Sequence, residues 1–412
     1  MNESVQIDDV RVAFIVSHPF QYFFYRDLCK HFERRVFILE KREDTPFEFD
    51  DEFLATVDGQ IVWVEESNLS QIDGLVDVIF CMTPKHLLNL FKKSKTVALQ
   101  YSLAKEIYQY GPWRVLADLN LMQGAYSHDS VKGFCNSRAV GNPRYDRVVA
   151  AAEEMQAGVA KKKSKKDSGK KRINLLYLPT YGELSSLAIF VDALDHFDED
   201  YKLTVKIHHA SEFADAELVA ELFNDPRIEL HTGYDDALEL IAGADVVVSD
   251  YSGAIFDALF LDKPLVLIQP EVTQTKLRTE ARSLEIAQAA SMGPVIQTAE
   301  ELVPAVQAAL NSAQTWAESR ARLRGEVFSH PGTSVSEIVA AVMDLVNGRA
   351  VAPLPVEALR TAYFGYIERN RELSATLSET KKSLSAAKKA AAAKATAAKD
   401  AAAKKKAAAP AA

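Results

Sequence analysis

The chain has little cysteine, with three residues in 412: Cys29, Cys81 and Cys135, far apart and each in apolar surroundings. An odd count without metal-ligand spacing excludes a disulfide framework and points to core thiols in a reducing compartment. There is no run of about 18 uncharged apolar residues, so no membrane-crossing helix is expected. The start, Met1-Asn-Glu-Ser-Val-Gln-Ile-Asp-Asp9, is acidic and lacks the apolar stretch of a secretory leader. These absences favour a cytoplasmic location. No metal-ligand cluster is visible, and neither a metal nor another cofactor is expected.

Basic residues are also in deficit, 48 Lys and Arg against 57 Asp and Glu, for a net charge of −9. The deficit is unevenly spread. From Lys381 onward nine Lys face one acid, Asp400, which makes +8 there and leaves −17 for the rest. So acidic a body argues against nucleic-acid binding. With 48% apolar residues, the length suffices for two domains of ordinary size.

Short β-branched runs alternate with helical patterns, which implies doubly wound parallel sheets. Strands are expected at Val12–Val16, Val36–Leu39, Gln60–Val64, Val76–Phe80 and Thr96–Leu99, with a further one at Gly124–Ser127. Helices are expected over Tyr25–Phe32, Pro84–Lys92 and Trp113–Leu121. The pattern stops at Lys161–Arg172, where eight of twelve residues are basic and none is apolar. It restarts with strands at Ile173–Leu178, Lys202–Ile207, Ile228–His231, Val246–Val248 and Leu265–Ile268, then one near Pro294-Val-Ile. Helices are expected from Leu187 and over Ala216–Phe223, Asp235–Ala242, Ala254–Leu261, Ala299–Leu310 and Ser336–Val346. The expected organisation is a first α/β domain over 10–158, a basic linker over 159–172, and a second α/β domain over 173–350. A helix over 351–373 and a Lys/Ala-rich low-complexity tail over 374–412 follow. The tail is rich in helix formers but cannot bury a core, and it reads either as a solubilising extension or as an electrostatic tether to an anionic partner such as a membrane surface. Two doubly wound domains would bind ligand in a cleft at the carboxyl ends of their strands.

The most informative stretch is Gly243–Ile268. It reads as strand, polar Ser249–Gly253 turn, helix and strand. A Ser-Gly turn opening a helix is an anion site, and phosphate is the usual anion; an ordinary crossover connection stays open as the alternative. His208 follows a strand directly and would face that turn. Asp250 ends the motif strand, beside Ser252 and Gly253. Asp257, one turn into the helix, reads either as helix support or as a site residue. Thr180 follows another strand and offers a hydroxyl and an N–H. Arg282 closes a polar irregular segment that either folds over a diphosphate or is a surface loop.

These residues carry a resemblance. The second half resembles the CDP-glycerol glycerophosphotransferase family, the teichoic-acid and capsule polymerases of GT-B fold. The matching pieces are Leu178-Pro-Thr180, Lys206-Ile-His208 and Ser249-Asp-Tyr-Ser-Gly-Ala-Ile-Phe-Asp-Ala-Leu-Phe-Leu-Asp-Lys-Pro264, with Gly293-Pro294 and Gly141-Asn-Pro-Arg-Tyr-Asp146 outside them. The resemblance spans roughly residues 96 to 345. It implies a donor pocket of Thr180, Asp250, Ser252, Gly253, Asp257 and Arg282, with His208 and Arg282 neutralising leaving-group charge. The donor would be CDP-glycerol or a related nucleotide-activated group, and the acceptor a polymer or lipid-linked hydroxyl.

Two departures matter. Gln100-Tyr-Ser-Leu-Ala-Lys105 stands where the family has H-G-T-P-L-K, so Lys105 is kept and Gln100 replaces the histidine used as a base. An amide has no usable basic lone pair. His18, after the first strand, is the candidate substitute, with a helix-entry role as its alternative. The second Ser of the family's pair is Gly253. Two other classes stay open: a GT-B glycosyltransferase or UDP-sugar epimerase, and a non-catalytic nucleotide- or polymer-binding homologue, which Gln100 favours.

Overall fold

The computed structural model describes residues 5–41, 49–83, 86–159, 172–233, 236–270, 282–349 and 354–407. Among the described residues, thirteen parallel strands form two sheets. The first contains β1 (Arg11–Val16), β2 (Arg34–Lys41), β3 (Gln60–Glu65), β4 (Val78–Cys81), β5 (Lys95–Leu99), β6 (Leu119–Met122) and β7 (Ser137–Ala139). The second contains β8 (Ile173–Leu178), β9 (Tyr201–Lys206), β10 (Ile228–His231), β11 (Val246–Ser249), β12 (Leu265–Ile268) and β13 (Val295–Ile296). The orders β3-β2-β1-β4-β5-β6-β7 and β10-β9-β8-β11-β12-β13 both reverse direction beside their first strand. That reversal is the switch point where doubly wound sheets open a ligand crevice.

The strands explain themselves. β4, β6, β11 and β12 are buried at every residue, as expected of parallel strands covered on both faces. The first core centres on Phe14, whose ring lies 5.0 Å from that of Phe80 and 5.4 Å from that of Phe37. The second contains Tyr177 stacked on Phe190 at 3.9 Å.

Several elements differ from the sequence expectation. The helix expected over Trp113–Leu121 is a short 3-10 turn, Pro112–Leu116, followed by β6. A short apolar stretch broken only by Arg114, Asp118 and Asn120 fits a buried strand and a buried helix equally well. The switch comes at Asp118, whose carboxylate accepts the Thr96 N–H at 2.8 Å and ties the chain to the sheet. Gly124–Ser127 is not a strand but enters the helix Ala125–Val131. A Cβ on Gly124 would sit 2.1 Å from the Val327 carbonyl oxygen, so the second half presses against this entry. The short strand β7 and the helices Pro143–Val159 and Ala313–Val327 were not anticipated. Tyr25–Phe32 splits into a helix at Tyr22–Tyr25 and a 3-10 turn at Leu28–His31. Of Pro84–Lys92, the described part holds a 3-10 turn at His86–Leu90. Most of the basic segment 161–172 lies outside the described residues.

One crossing ties the halves. The helix Ser334–Val346 follows the second sheet in sequence, yet Val335, Ile338, Val342 and Leu345 belong to the first core. Asp146 accepts the N–H groups of Ser334 and Val335 at 3.1 and 2.7 Å, fixing the start of that helix. The chain divides into a unit over Met1–Val356 and a second unit over Glu357–Ala412. The expected short helix and tail are one helix, Leu354–Ala407, which begins in the last residues of the first unit and makes up most of the second.

Candidate functional site

Between the two sheets lies a cavity of about 710 Å³, within the usual range for small-molecule sites. Its walls come from the carboxyl ends of β1, β5, β8, β9 and β11 and the loops after them. His18 and Phe20 enter after β1, Tyr101 to Lys105 after β5, Thr180 and Tyr181 after β8, His208 and His209 after β9, and Ser252 and Gly253 after β11.

An aromatic chain crosses this cavity. The His18 ring stacks toward His209 at 6.2 Å, His209 lies 4.0 Å from His208, and His208 stacks on Tyr181 at 4.5 Å. The ammonium of Lys105 sits 5.7 Å above the Tyr181 ring and 3.5 Å from Thr180 Oγ1. Lys105 has a left-handed backbone, φ 58°, and its N–H donates to Glu285 at 2.7 Å. Such a conformation in a non-glycine residue is characteristic of functional loops. The Leu284 N–H answers with a 2.9 Å bond to Glu106, so the two segments clasp each other.

The histidines are held neutral. Burial, followed by the neighbouring His209, Lys105, Lys206 and His18, pushes His208 down to about 2. Burial, His18 and Lys206 push His209 down to about 4. His208 Nδ1 accepts the Ala210 N–H at 3.1 Å, which places the ring proton on Nε2. At neutral pH this ring is a hydrogen-bond donor rather than a cation.

The acids divide by depth. Asp250 is fully buried and outside the cavity lining; it accepts the Thr180 N–H at 2.8 Å and the Ser186 N–H and hydroxyl at 3.0 Å each. Burial pushes its pKa up to about 7. It therefore shapes the Thr180 loop. Asp257 lines the far wall, accepting the Tyr145 hydroxyl at 2.7 Å and pairing with Arg144 at 3.4 Å. Arg144 also reaches Asp236 at 2.8 Å and packs over the Phe24 ring at 4.7 Å. Burial opposes the charge on Arg144, but Asp257 and Asp236 outweigh it and hold the guanidinium protonated. Arg147 pairs with Asp236 as well.

The structure thus gathers His18, Lys105, Thr180, His208, Ser252, Gly253 and Asp257 around one cavity. Gln100 is not there. It is wholly buried, donating to the Ser102 carbonyl and accepting the Gln123 N–H, each at 2.9 Å. Arg282 is exposed and does not line the cavity, and the rest of its polar segment, 271–281, lies outside the described residues. Sequence reasoning missed Arg144, Tyr181, Lys206 and His209 as site residues. Three of them had a readable signal, since Tyr181, Lys206 and His209 stand at or just after strand ends.

A family model described as CDP-Glycerol:Poly(glycerophosphate) glycerophosphotransferase matches residues 120–344, more than half of the chain. The chain belongs to this family. Its fold matches that of the wall teichoic acid polymerase TagF, solved as a variant with CDPG, at TM-score 0.58 and 13% identity, covering 82% of this chain and 89% of that one. A putative UDP-N-acetylglucosamine 2-epimerase from Listeria monocytogenes is similar at TM-score 0.57 and 15% identity, covering 82% and 96%. The UDP-GlcNAc 2-epimerase from Neisseria meningitidis follows at TM-score 0.52 and 11% identity, covering 81% and 100%. At such identities these likenesses establish the two-domain GT-B architecture. No curated protein sequence matches the chain. Membership makes this a glycerophosphotransferase-type protein. Among the described residues no helix is long and apolar enough to cross a membrane.

Proposed function

We propose that this protein transfers a glycerol-phosphate or similar polyol-phosphate unit from a CDP-linked donor to a hydroxyl of a polymer or lipid-linked acceptor. The observation that carries the reading is the convergence of Lys105, Thr180, His208 and Ser252 on one cavity, the last three within the segment that the family model matches. The acceptor oxygen attacks the β-phosphorus, the bond to the bridging oxygen breaks, and CMP leaves. Such chemistry rests on positioning and on stabilising charge at phosphate oxygens. Lys105 supplies the positive charge, Ser252 and Thr180 supply hydroxyl donors, and neutral His208 donates from Nε2. Asp250 positions the Thr180 loop, and Asp257 holds Arg144 and Tyr145 rather than touching phosphate. Because Gln100 is sealed in the interior, the acceptor proton passes to His18. The Lys-rich end gives a salt-sensitive attraction to an anionic surface that carries the acceptor.

The test is CMP release from CDP-glycerol by purified protein in the presence of a polyol-phosphate acceptor. His208→Ala and Ser252→Ala should each lower kcat/KM by on the order of 100-fold, the loss typical of one donor to a developing charge. Release unchanged in both variants would sink these roles. Thermal stabilisation by a UDP-sugar and not by CDP-glycerol would favour an epimerase-like activity, and stabilisation without CMP release a binding protein.

A further inference from the structure

Lys105 stands at the entry of the short helix Glu106–Gln109 with φ 58° and ψ 55°, a left-handed backbone. Glycine takes that conformation without strain, whereas a side chain makes it costly, so it persists only where surrounding contacts hold it. The second half of the molecule holds Lys105 at both ends. Glu285 accepts its N–H at 2.7 Å, and Thr180 Oγ1 lies 3.5 Å from its ammonium. Glu285 is wholly buried and outside the cavity lining, so it cannot touch a substrate. Its own place is well fixed. Gln269, just after β12, donates to the Glu285 carbonyl at 3.0 Å, and the adjoining Leu284 N–H donates to Glu106 at 2.9 Å. The Tyr126 hydroxyl donates to the same Glu106 oxygen at 2.9 Å, tying that carboxyl into the first half.

We infer that Glu285 is a positioning residue for phosphate binding. By holding the Lys105 N–H it keeps residue 105 left-handed, and so aims the ammonium at the Thr180 hydroxyl and the donor phosphates. This rests on the transferase reading above, in which Lys105 supplies the positive charge. Returned to an ordinary helical φ near −63°, residue 105 would turn its side chain about the N–Cα bond by roughly 120° relative to the preceding loop. The ammonium would then leave Thr180. Loss of Glu285 takes away the acceptor that rewards the strained turn. Glu285 and Thr180 belong to the second half and Lys105 to the first, so the charge reaches its place only while the halves are in contact.

The experiment measures CMP release from CDP-glycerol by the full chain, together with hydrogen exchange at the Lys105 amide. Lys105→Met should lower kcat/KM by on the order of 100-fold. Glu285→Met, which misplaces that charge while keeping the side-chain volume, should lower it by about tenfold to 100-fold. Glu285→Gln should lose less than about threefold, because its amide oxygen still accepts the N–H. In the Lys105→Met background, Glu285→Met should add less than about twofold, since the two changes remove one interaction. Exchange at the Lys105 amide should quicken in Glu285→Met and stay slow in Glu285→Gln. If Glu285→Met does not fold, Glu285→Asp, which withdraws the acceptor by one methylene, gives the same readouts. Losses that multiply in the double variant overturn the proposal, because they assign Glu285 to general stability. So does parental activity or unchanged exchange in Glu285→Met. A parent that releases no CMP, or Lys105→Met with parental activity, defeats the transferase reading instead, and exchange alone then decides whether Glu285 holds residue 105.

Discussion

Arg144, at the start of the helix after β7, donates to Asp236 of the second half at 2.8 Å, with both side chains almost fully buried. The same guanidinium meets Asp257 at 3.4 Å, so one cation from the first half neutralises two acids of the second. The pairing forms part of the cavity wall, which makes site geometry depend on how the halves are joined.

Removing that cation leaves largely buried Asp257 with no cation beside it among the described residues, only the Tyr145 hydroxyl, while Asp236 keeps Arg147. Arg144→Met should lower unfolding stability by roughly 3–5 kcal/mol, the usual loss when a buried ion pair loses one partner. Arg144→Lys should recover only part of it, since one ammonium cannot span both acids as a planar fork does. Denaturant unfolding of the three proteins checks this, and equal midpoints would refute it.

Gly253 faces the Ser102 hydroxyl closely, with an ordinary helical backbone angle. A Cβ there would lie 2.7 Å from Ser102 Oγ, across the cleft between the halves. Gly253→Ala should therefore destabilise by about 1 kcal/mol, the low end of the overpacking range, because a hydroxyl can turn aside. Ser102→Ala removes the obstructing oxygen and should recover most of that loss in the double variant. A double-mutant cycle with no coupling would show that the halves separate freely at this point.

The neutral histidines set a pH dependence. His209, at about 4 in the folded protein, is near 6.5 when unfolded. Between those values the unfolded chain binds a proton that the folded chain does not, so stability falls as pH drops from 6.5 toward 4. The slope is at most about 1.4 kcal/mol per pH unit for one group. His208, at about 2, acts with the same sign. Asp250, at about 7, acts oppositely, its contribution declining as pH rises from about 4 to 7. His209→Gln should flatten the acid limb relative to the parent. Parallel stability curves for the two proteins would contradict the assignment.

Much of the architecture was legible because it is local. β1, β8, β11 and β12 are short, β-branched and bounded by turn residues, and each lies where that pattern placed it. The Ser249–Gly253 turn and His208 were readable for the same reason: polar residues at strand ends of a doubly wound sheet face the crevice. The mainly apolar stretch from Trp113 to Met122 was not decidable, because covered strands and buried helices share one composition.

The amino-acid sequence by itself determined the two alternating α/β halves and the family motifs, both set by neighbours within a turn or a strand. Only the tertiary structure decided that Gln100 is a sealed crosspiece and that Asp250 braces a loop. It alone joined Arg144 to Asp236 and Asp257, across 92 and 113 residues of chain. It also sent the helix Ser334–Val346 back into the first core. The physical reason is that burial and ion pairing depend on which surfaces meet when the halves close, and that contact has no periodicity to read along the chain.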